Sequence, residues 1–228
     1  PAYATLNVYK AELLDEQTCT NLSLPFEETF EHLKSLSQSL CGLPSTSTVN
    51  AVDPSGVLAI EFTANPLQQV AHIDGAELLL ASVIEASGFA DTATLILNVH
   101  GANTGFHSVD MGSLQEVAHR VLWNFCEATS LVIQDVAVWG SVLAPFADVQ
   151  GGDGVINGQL RANSFYGPTQ SNLVYFEGCI GLCRECVTKQ CLARDACAEE
   201  LCTRGSGQAL WLGCAEDFEA PSPLFFCQ

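Results

Sequence analysis

Apolar residues near the start of the chain recur at helical spacing. The residues that share this face are Phe26, Phe30, Leu33, Leu36 and Leu40. Because they lie three or four positions apart, they form one face of an α-helix. Pro25 suits the first helical turn, and Gly42 with Pro44 ends the pattern. The sequence therefore predicts a helix over about 25–41.

Shorter apolar patterns before and after this helix predict strands. Residues 4–9 alternate between apolar and polar side chains, which is typical of a strand. Further along, short apolar runs between turn residues are candidate strands at 57–62, 78–80, 95–99, 121–125, 131–133 and 136–138. A second, short helix is expected to start at Ser113, because Ser113 and Glu116 have the spacing of a capping box.

The stretch 131–166 contains an internal repeat. The segments GSVLAP (140–145) and GQLRAN (158–163) align at a spacing of 18 residues, with glycine on glycine and alanine on alanine. A unit of this length with Gly and Asn corners is what one coil of a β-solenoid requires. A β-sandwich whose strands repeat by chance is the alternative.

Charge and hydropathy restrict the partners of the chain. The 228 residues include 26 Asp and Glu against 8 Lys and Arg, so the formal net charge is −18. This balance argues against nucleic acid and anionic lipid as partners, since both need clustered cations. No apolar run reaches the length of a transmembrane helix. The first residue is Pro1, and no signal peptide is visible, so we read the sequence as a processed product or an excerpt of a longer chain.

The cysteines divide the chain in two. The first part contains Cys19, Cys41 and Cys126; the last 50 residues contain Cys179, Cys183, Cys186, Cys191, Cys197, Cys202, Cys214 and Cys227. We therefore predict a main domain at 1–178 and a small disulfide-stapled module at 179–228. Dense cysteine with a single Met predicts an oxidising, extracellular compartment. The sequon at Asn21 is a candidate glycosylation site, which would make the chain a glycoprotein.

Pairing within this set is only partly suggested by the sequence. Cys19 precedes the predicted helix and Cys41 ends it, so a bond between them would tie the flanking segments together. Cys126 is then the odd cysteine, either buried and free or bonded to another chain. The spacing of Cys179, Cys183 and Cys186 matches an iron–sulfur motif, but five more cysteines surround it at the end of the chain. A disulfide framework is therefore preferred.

No constellation of catalytic residues stands out, and an enzyme is not predicted. The histidines form no metal-binding motif; Glu116 and His119 share a helical face without a third ligand. Asp148, Asp153 and Asn157 offer oxygen ligands for Ca²⁺, although such residues also serve as solenoid corners. We otherwise expect no cofactor and no metal. Trp123, Phe125 and Trp139 are interpreted as core residues rather than as a sugar-binding platform.

The segment from VLWNFCEATSL (121–131) through GSVLAP (140–145) to INGQL (156–160) resembles the choice-of-anchor A domain family. That family carries a pattern of the type VLWNFPxAT, GSxLAP and NGxxxA, in this order. The last two motifs are also similar to ice-binding β-solenoid proteins, whose coils run alongside a helix. The resemblance implies a secreted or surface domain with an adhesive or structural role. Cys126 stands where the family commonly has Pro, which suggests an added disulfide.

Together these features predict a mainly β protein: a right-handed β-solenoid with a flanking helix and a Cys-rich C-terminal module. The predicted function is that of an extracellular, adhesin-like structural protein, a building block of a surface layer, matrix or filament. Self-association through the N-terminal strand within 1–10 is the expected interaction, because solenoid ends leave strands unpaired. A glycan- or ice-binding module is the alternative; the sequence lacks a Thr-x-Thr ladder, which disfavours ice.

Overall fold

The computed structural model describes residues 26–63 and 67–180. The helices are α1 (Phe26–Cys41), α2 (Gly75–Leu80) and a 3₁₀ helix (Gly112–Arg120). The strands are β1 (Ser47–Val49), β2 (Val57–Phe62), β3 (Gln68–Asp74), β4 (Val83–Ser87), β5 (Thr94–His100), β6 (Asn103–His107), β7 (Val121–Phe125), β8 (Ser130–Gln134), β9 (Val136–Trp139), β10 (Ser141–Gly151), β11 (Gly154–Asn157), β12 (Leu160–Tyr166) and β13 (Gln170–Asn172). The predicted strand at 4–9, Cys19, Asn21 and the cysteines from Cys183 to Cys227 lie outside the described residues.

Most strands belong to one curled parallel sheet. Its order is β3-β5-β7-β10-β8-β6, with β12 also paired to β10. Every pair in this sheet is parallel. Two three-stranded sheets, β1-β2-β4 and β9-β11-β13, accompany it, and only β1 with β2 is antiparallel. The mainly β class and the flanking helix, found at Phe26–Cys41, are therefore confirmed.

The strands repeat at two different chain separations. Gln68 pairs with Thr94, 26 residues later, whereas Val142 pairs with Leu160, 18 residues later. The longer steps contain α2 or the 3₁₀ helix, and the shorter step contains neither. The 18-residue alignment of the two sequence segments is therefore a register of neighbouring strands, as the sequence predicts.

Two glycines allow the 18-residue step to close. Gly140 has φ +124°, a conformation that side chains disfavour. A Cβ on Gly158 would strike the Gly140 carbonyl oxygen and lie 2.5 Å from the carbonyl carbon and 2.8 Å from Ser141 N. These obstacles are backbone atoms of the neighbouring strand, which cannot rotate away.

Replacement of Gly158 by alanine should therefore destabilise the stack. We expect Gly158→Ala to lower the free energy of unfolding by about 2–3 kcal/mol, the usual cost of overpacking a rigid site. Gly112→Ala is the matched control, because its Cβ would meet only the Asp110 carboxylate, at 3.3 Å. Urea denaturation of both variants measures the difference. Equal stabilities of the two variants would contradict the close approach of the strands.

Two local predictions were wrong. The apolar run 78–80 was a candidate strand, but it lies in α2, whose N-terminus is capped by the Asp74 carboxylate accepting from Ala76 N at 2.8 Å. A short helix does form around Ser113, yet Ser113 is not its cap. Its hydroxyl donates to Ile84 O and accepts from Ala86 N, so it bonds to β4 instead.

The interior between the sheets is filled by apolar side chains from alternate strand positions. Trp123, Phe125 and Phe106 are all fully buried. The Phe106 ring meets Trp123 and Phe125 edge-on, with centroids 4.9 and 5.6 Å apart. The Trp123 indole N–H donates to Trp139 O at 3.1 Å, and Trp139 itself is half-buried against the core. The prediction that these tryptophans and Phe125 are core residues is confirmed.

Helix α1 packs on the outer face of the large sheet through a mixed interface. Its buried Leu33, Leu36 and Leu40 contact an apolar cluster from β3, β5, β7 and β10, together with Phe176 and Ile180. Asn124, which is fully buried, donates to Ser37 O at 2.9 Å and to Asn98 Oδ1 at 2.8 Å. The Ser37 hydroxyl donates to Asn124 Oδ1 at 2.6 Å.

These amides belong to one outward row of the sheet. His72 on β3, Asn98 on β5 and Asn124 on β7 are register partners. Asn98 donates to Leu40 O at 2.8 Å, and His72 Nε2 contacts Leu43 O at 2.7 Å. Three side chains of one row therefore satisfy carbonyl groups at the C-terminal end of α1 and just beyond it, where helix carbonyls lack intrahelical partners.

A disulfide joins the same helix end to the sheet, but not the one suggested by the sequence. Cys41 is bonded to Cys126, with Cα atoms 6.2 Å apart. The suggested Cys19–Cys41 bond is therefore wrong, and Cys126 is not the odd cysteine. Cys41 ends α1 while Cys126 directly follows β7, so docking of the helix brings the two together. The added disulfide implied by Cys126 in the family motif is present.

Within residues 26–63 and 67–180, none of the helices combines the length and the apolar character needed to cross a bilayer.

Candidate interaction surface

The last strands of the stack expose a group of large apolar side chains. These residues are Phe165, Tyr166, Leu173 and Tyr175. Tyr166, at the end of β12, is 83% exposed. Among the described residues β12 pairs only with β10, so its other edge has no strand partner. We refer to β12, β13 and the residues 173–175 as the open end.

Phe165 shows that the core itself continues to the open end. It is the register partner of Val149, which is buried and itself pairs with buried Leu131. A Cβ on Gly151 would lie 2.9 Å from the Phe165 ring, so the ring covers that glycine. Phe165 nevertheless remains 43% exposed, because no described strand covers it. An uncovered interior position of this kind marks an interaction surface.

A row of small polar side chains runs across the outer face toward this end. Asn103, Ser130, Asp148 and Ser164 are successive register partners on four strands. The Ser164 hydroxyl and the Asn163 amide donate to Asp148 at 2.6 and 2.8 Å, and these hydrogen bonds lower the pKa of the Asp148 carboxyl. The row contains no Thr, so it is not the array of threonines expected for ice binding.

The residues considered for calcium take part in such strand-to-strand bonds. The Asp148 carboxylate accepts from the next strand, and Asn157 Oδ1 accepts from Asn172 at 2.8 Å. Asp153 is exposed in the turn between β10 and β11, where its carbonyl accepts from Asp135 N. Asp148 and Asn157 thus serve as cross-strand links, which is the role that the sequence offered as the alternative to Ca²⁺ binding.

Arg161 is the cation on β12. It is half-buried, and desolvation lowers the pKa of its guanidinium. Its hydrogen bond within the described part of the chain goes to Leu160 O at 3.2 Å. The ion pairs of that part involve other residues, Lys34 with Glu31 and His100 with Glu127. Arg161 therefore adds a positive charge to the strand that carries Tyr166.

The aromatic residues of the open end were not singled out from the sequence. Attention fell on Trp123 and Trp139, which are buried and half-buried, and on Trp211, which lies outside the described residues. A signal was available: the 18-residue repeat that contains Phe165 and Tyr166 has no further aligned unit after it. The final unit of a stack has nothing to cover its apolar side chains.

A second polar group lies at the other end of the same strands. His72 Nδ1 is 2.8 Å from His100 Nε2, and the rings stack with centroids 5.1 Å apart. His100 Nδ1 is 3.1 Å from the Glu127 carboxylate. His72, Asp74, His100 and Gly101 line an open depression of about 340 Å³.

The Cys41–Cys126 disulfide lies beside these histidines. Cys41 Sγ is 4.0 Å from His100 Nδ1, and one ligand atom from each of Cys41, Cys126 and His100 lies within 4.8 Å of the others. His100 and then the Gly101 N–H bond to Glu127 and lower the pKa of this carboxyl. The histidines received no role from the sequence, because they meet only through the register of β3 with β5.

Comparison with known proteins identifies one family. Residues 3–173 match the model of a family described as a "Putative Ice-binding-like adhesive domain". No curated protein and no solved structure matches the chain. The match covers all the described strands and ends directly after β13.

Proposed function

Because the chain belongs to the ice-binding-like adhesive domain family, we propose that it is a non-catalytic adhesive module that works outside the cell and binds through its open end. The observation that carries this proposal is the exposure of Tyr166 and Phe165 on a strand whose outer edge is unpaired among the described residues. An exposed strand edge with apolar side chains is a template for another strand.

The partner in this proposal is a second copy of the same chain. Residues 4–9 alternate as a strand does, and they are suited to add to the β12 edge of a neighbour by strand donation. The curled parallel sheet is then one column of right-handed β-solenoid coils, and donation extends that column from chain to chain. Repetition of this contact would produce the filament or surface layer predicted from the sequence.

The net charge sets the conditions for such assembly. Copies that each carry a formal charge of −18 repel one another, and salt screens this repulsion within about 8 Å at physiological ionic strength. The apolar contact at the open end is not weakened by salt. Assembly should therefore increase as the salt concentration rises, which distinguishes it from association driven by ion pairs.

Sedimentation velocity and negative-stain imaging of the full chain test the proposal. We expect wild-type polymers at moderate salt, and monomers for Tyr166→Lys and for a chain lacking residues 1–10. Lysine on a strand edge opposes pairing with another strand. Leu80→Lys is the matched control, because Leu80 is 69% exposed on α2, away from the open end, and this variant should assemble normally.

The possible results separate the parts of the proposal. A wild-type chain that stays monomeric at every salt concentration would overturn self-association. Polymers that persist in Tyr166→Lys would overturn the open end as the contact. Polymers that persist without residues 1–10, but not in Tyr166→Lys, would retain the open end and reject the donated strand.

A glycan is the second candidate partner, and the exposure of the Tyr166 ring favours it. Aromatic rings that present a face to solvent are suited to stack on sugars. A glycan array probed with the wild type and with Tyr166→Ala would test this function, with Leu80→Ala as the control. Binding that is lost only in Tyr166→Ala would support a carbohydrate ligand, and binding retained in both variants would reject this site.

A further inference from the structure

A cluster independent of the open end brings metal-ligand side chains together. Cys41 ends α1, His100 ends β5, and Cys126 follows β7. Their ligand atoms all lie within 4.8 Å of one another. The Glu127 carboxylate is 3.1 Å from His100 Nδ1, the same nitrogen that faces Cys41 Sγ at 4.0 Å. Two sulfurs, one imidazole nitrogen and one carboxylate oxygen therefore converge on one region.

Hydrogen bonds already orient His100 for this role. Leu43 O can only accept, so His72 Nε2, at 2.7 Å from it, carries a hydrogen. In neutral His72 the other nitrogen, Nδ1, then accepts, and His100 Nε2 is the donor to it at 2.8 Å. His100 thus presents Nδ1 toward Cys41 and Glu127. A metal-binding histidine usually has this arrangement, with its second nitrogen donating to a fixed acceptor.

We propose that reduction of the Cys41–Cys126 disulfide converts this cluster into a Zn²⁺ site. The ligands are Cys41 Sγ, Cys126 Sγ and His100 Nδ1, with a Glu127 carboxylate oxygen in the fourth position. Zinc prefers four sulfur, nitrogen and oxygen ligands in tetrahedral geometry. The inference goes beyond the proposed adhesive function and does not depend on it.

The conversion is balanced with a phosphine as the two-electron reductant. The S–S bond breaks, the phosphine is oxidised to its oxide with oxygen from water, and the two protons of that water complete the two thiols. Each thiol loses its proton when its sulfur binds Zn²⁺, so two protons are released per metal ion.

The backbone positions suit both states. The Cα atoms of Cys41 and Cys126 are 6.2 Å apart. Thiolates on a tetrahedral zinc ion lie roughly 3.7 Å apart, given Zn–S bonds of about 2.3 Å. Side-chain rotation can supply this separation while α1 stays docked through Asn98 and Asn124. The helix end would therefore be cross-linked to the sheet by a disulfide under oxidising conditions and by a metal under reducing ones.

Site-resolved alkylation of the full chain tests the proposal. The chain is reduced with a phosphine, the phosphine is removed, and iodoacetamide labelling of each cysteine is followed by peptide mass spectrometry, with and without ZnCl₂. We expect zinc to slow the labelling of Cys41 and Cys126 at least tenfold. Because each cysteine is measured separately, zinc bound by the eight cysteines from 179 to 227 does not confuse the result.

Variants separate a site with a histidine ligand from two thiols that bind alone. His100→Gln should abolish most of the protection at Cys41 and Cys126, whereas His107→Gln, exposed at the end of β6, should leave it intact. Circular dichroism of the reduced variants monitors folding. Labelling rates that zinc does not change, whether the reduced chain is folded or unfolded, would overturn the proposal. Full protection in His100→Gln would overturn the ligand set.

Discussion

Replacement of Asn124 by leucine should lower the free energy of unfolding by roughly 3–5 kcal/mol, because each buried polar group left unpaired costs about 1–3 kcal/mol. Leucine removes the donor to Ser37 O and Asn98 Oδ1 and the acceptor of the Ser37 hydroxyl. Asn124 and Ser37 are both fully buried, so water cannot replace these partners. Urea denaturation followed by circular dichroism measures the loss.

Two further variants show whether the loss comes from the hydrogen bonds. Asn103→Leu places the same change at an exposed position of β6 and should shift stability by less than about 0.5 kcal/mol. Ser37→Ala in the Asn124→Leu background removes an orphaned hydroxyl and should recover part of the loss, as a double-mutant cycle would show. A cost below about 1 kcal/mol for Asn124→Leu would contradict the role of this amide in holding α1.

Loss of the disulfide should have an effect of similar size. Cys41 and Cys126 are 85 residues apart in the chain, and closing a loop of that length is worth roughly 4–5 kcal/mol in the chain-entropy account. The combined variant Cys41→Ser/Cys126→Ala should therefore unfold at a markedly lower urea concentration than the oxidised wild type. Serine suits half-buried Cys41, and alanine avoids placing a hydroxyl at buried Cys126.

A reductant distinguishes this bond from those of the Cys-rich tail. Addition of a phosphine to the wild type breaks all disulfides, whereas in the double variant it can break only the others. The difference between these two losses isolates the Cys41–Cys126 contribution. If Cys126→Ala alone unfolds within about 0.5 kcal/mol of the oxidised wild type, the bond contributes little to the stability of the domain.

Local patterns in the sequence were sufficient for much of the fold. The spacing of Leu33, Leu36 and Leu40 located α1, because a helix that buries one face repeats its apolar residues at its own period. Strands β2 and β7 were found with their observed bounds from short apolar runs. The 18-residue step was visible because β10 and β12 contain the same motif. The 26-residue steps were not, since a helix inserted in each step hides the similarity.

Features that depend on tertiary contacts were missed or misassigned. A run of three leucines does not distinguish a strand from a helix, and the cap at Asp74 decided for α2. The disulfide was assigned to the cysteine nearest in sequence, although docking of α1 brings Cys41 to Cys126. Asn124 gave a sign of its role, as a polar residue within an otherwise apolar strand, but its partners Ser37 and Asn98 could be named only from the structure.

The amide row beneath the end of α1 has a consequence for the electrostatics of the protein. A helix C-terminus carries partial negative charge, which proteins commonly offset with Lys or Arg, and the last turn of α1 contains neither. Attraction to such cations weakens as ions accumulate around them, whereas amide dipoles enclosed with their acceptors are shielded far less. The helix should consequently stay attached from fresh water to brine, which suits a domain exposed to whatever medium surrounds its host.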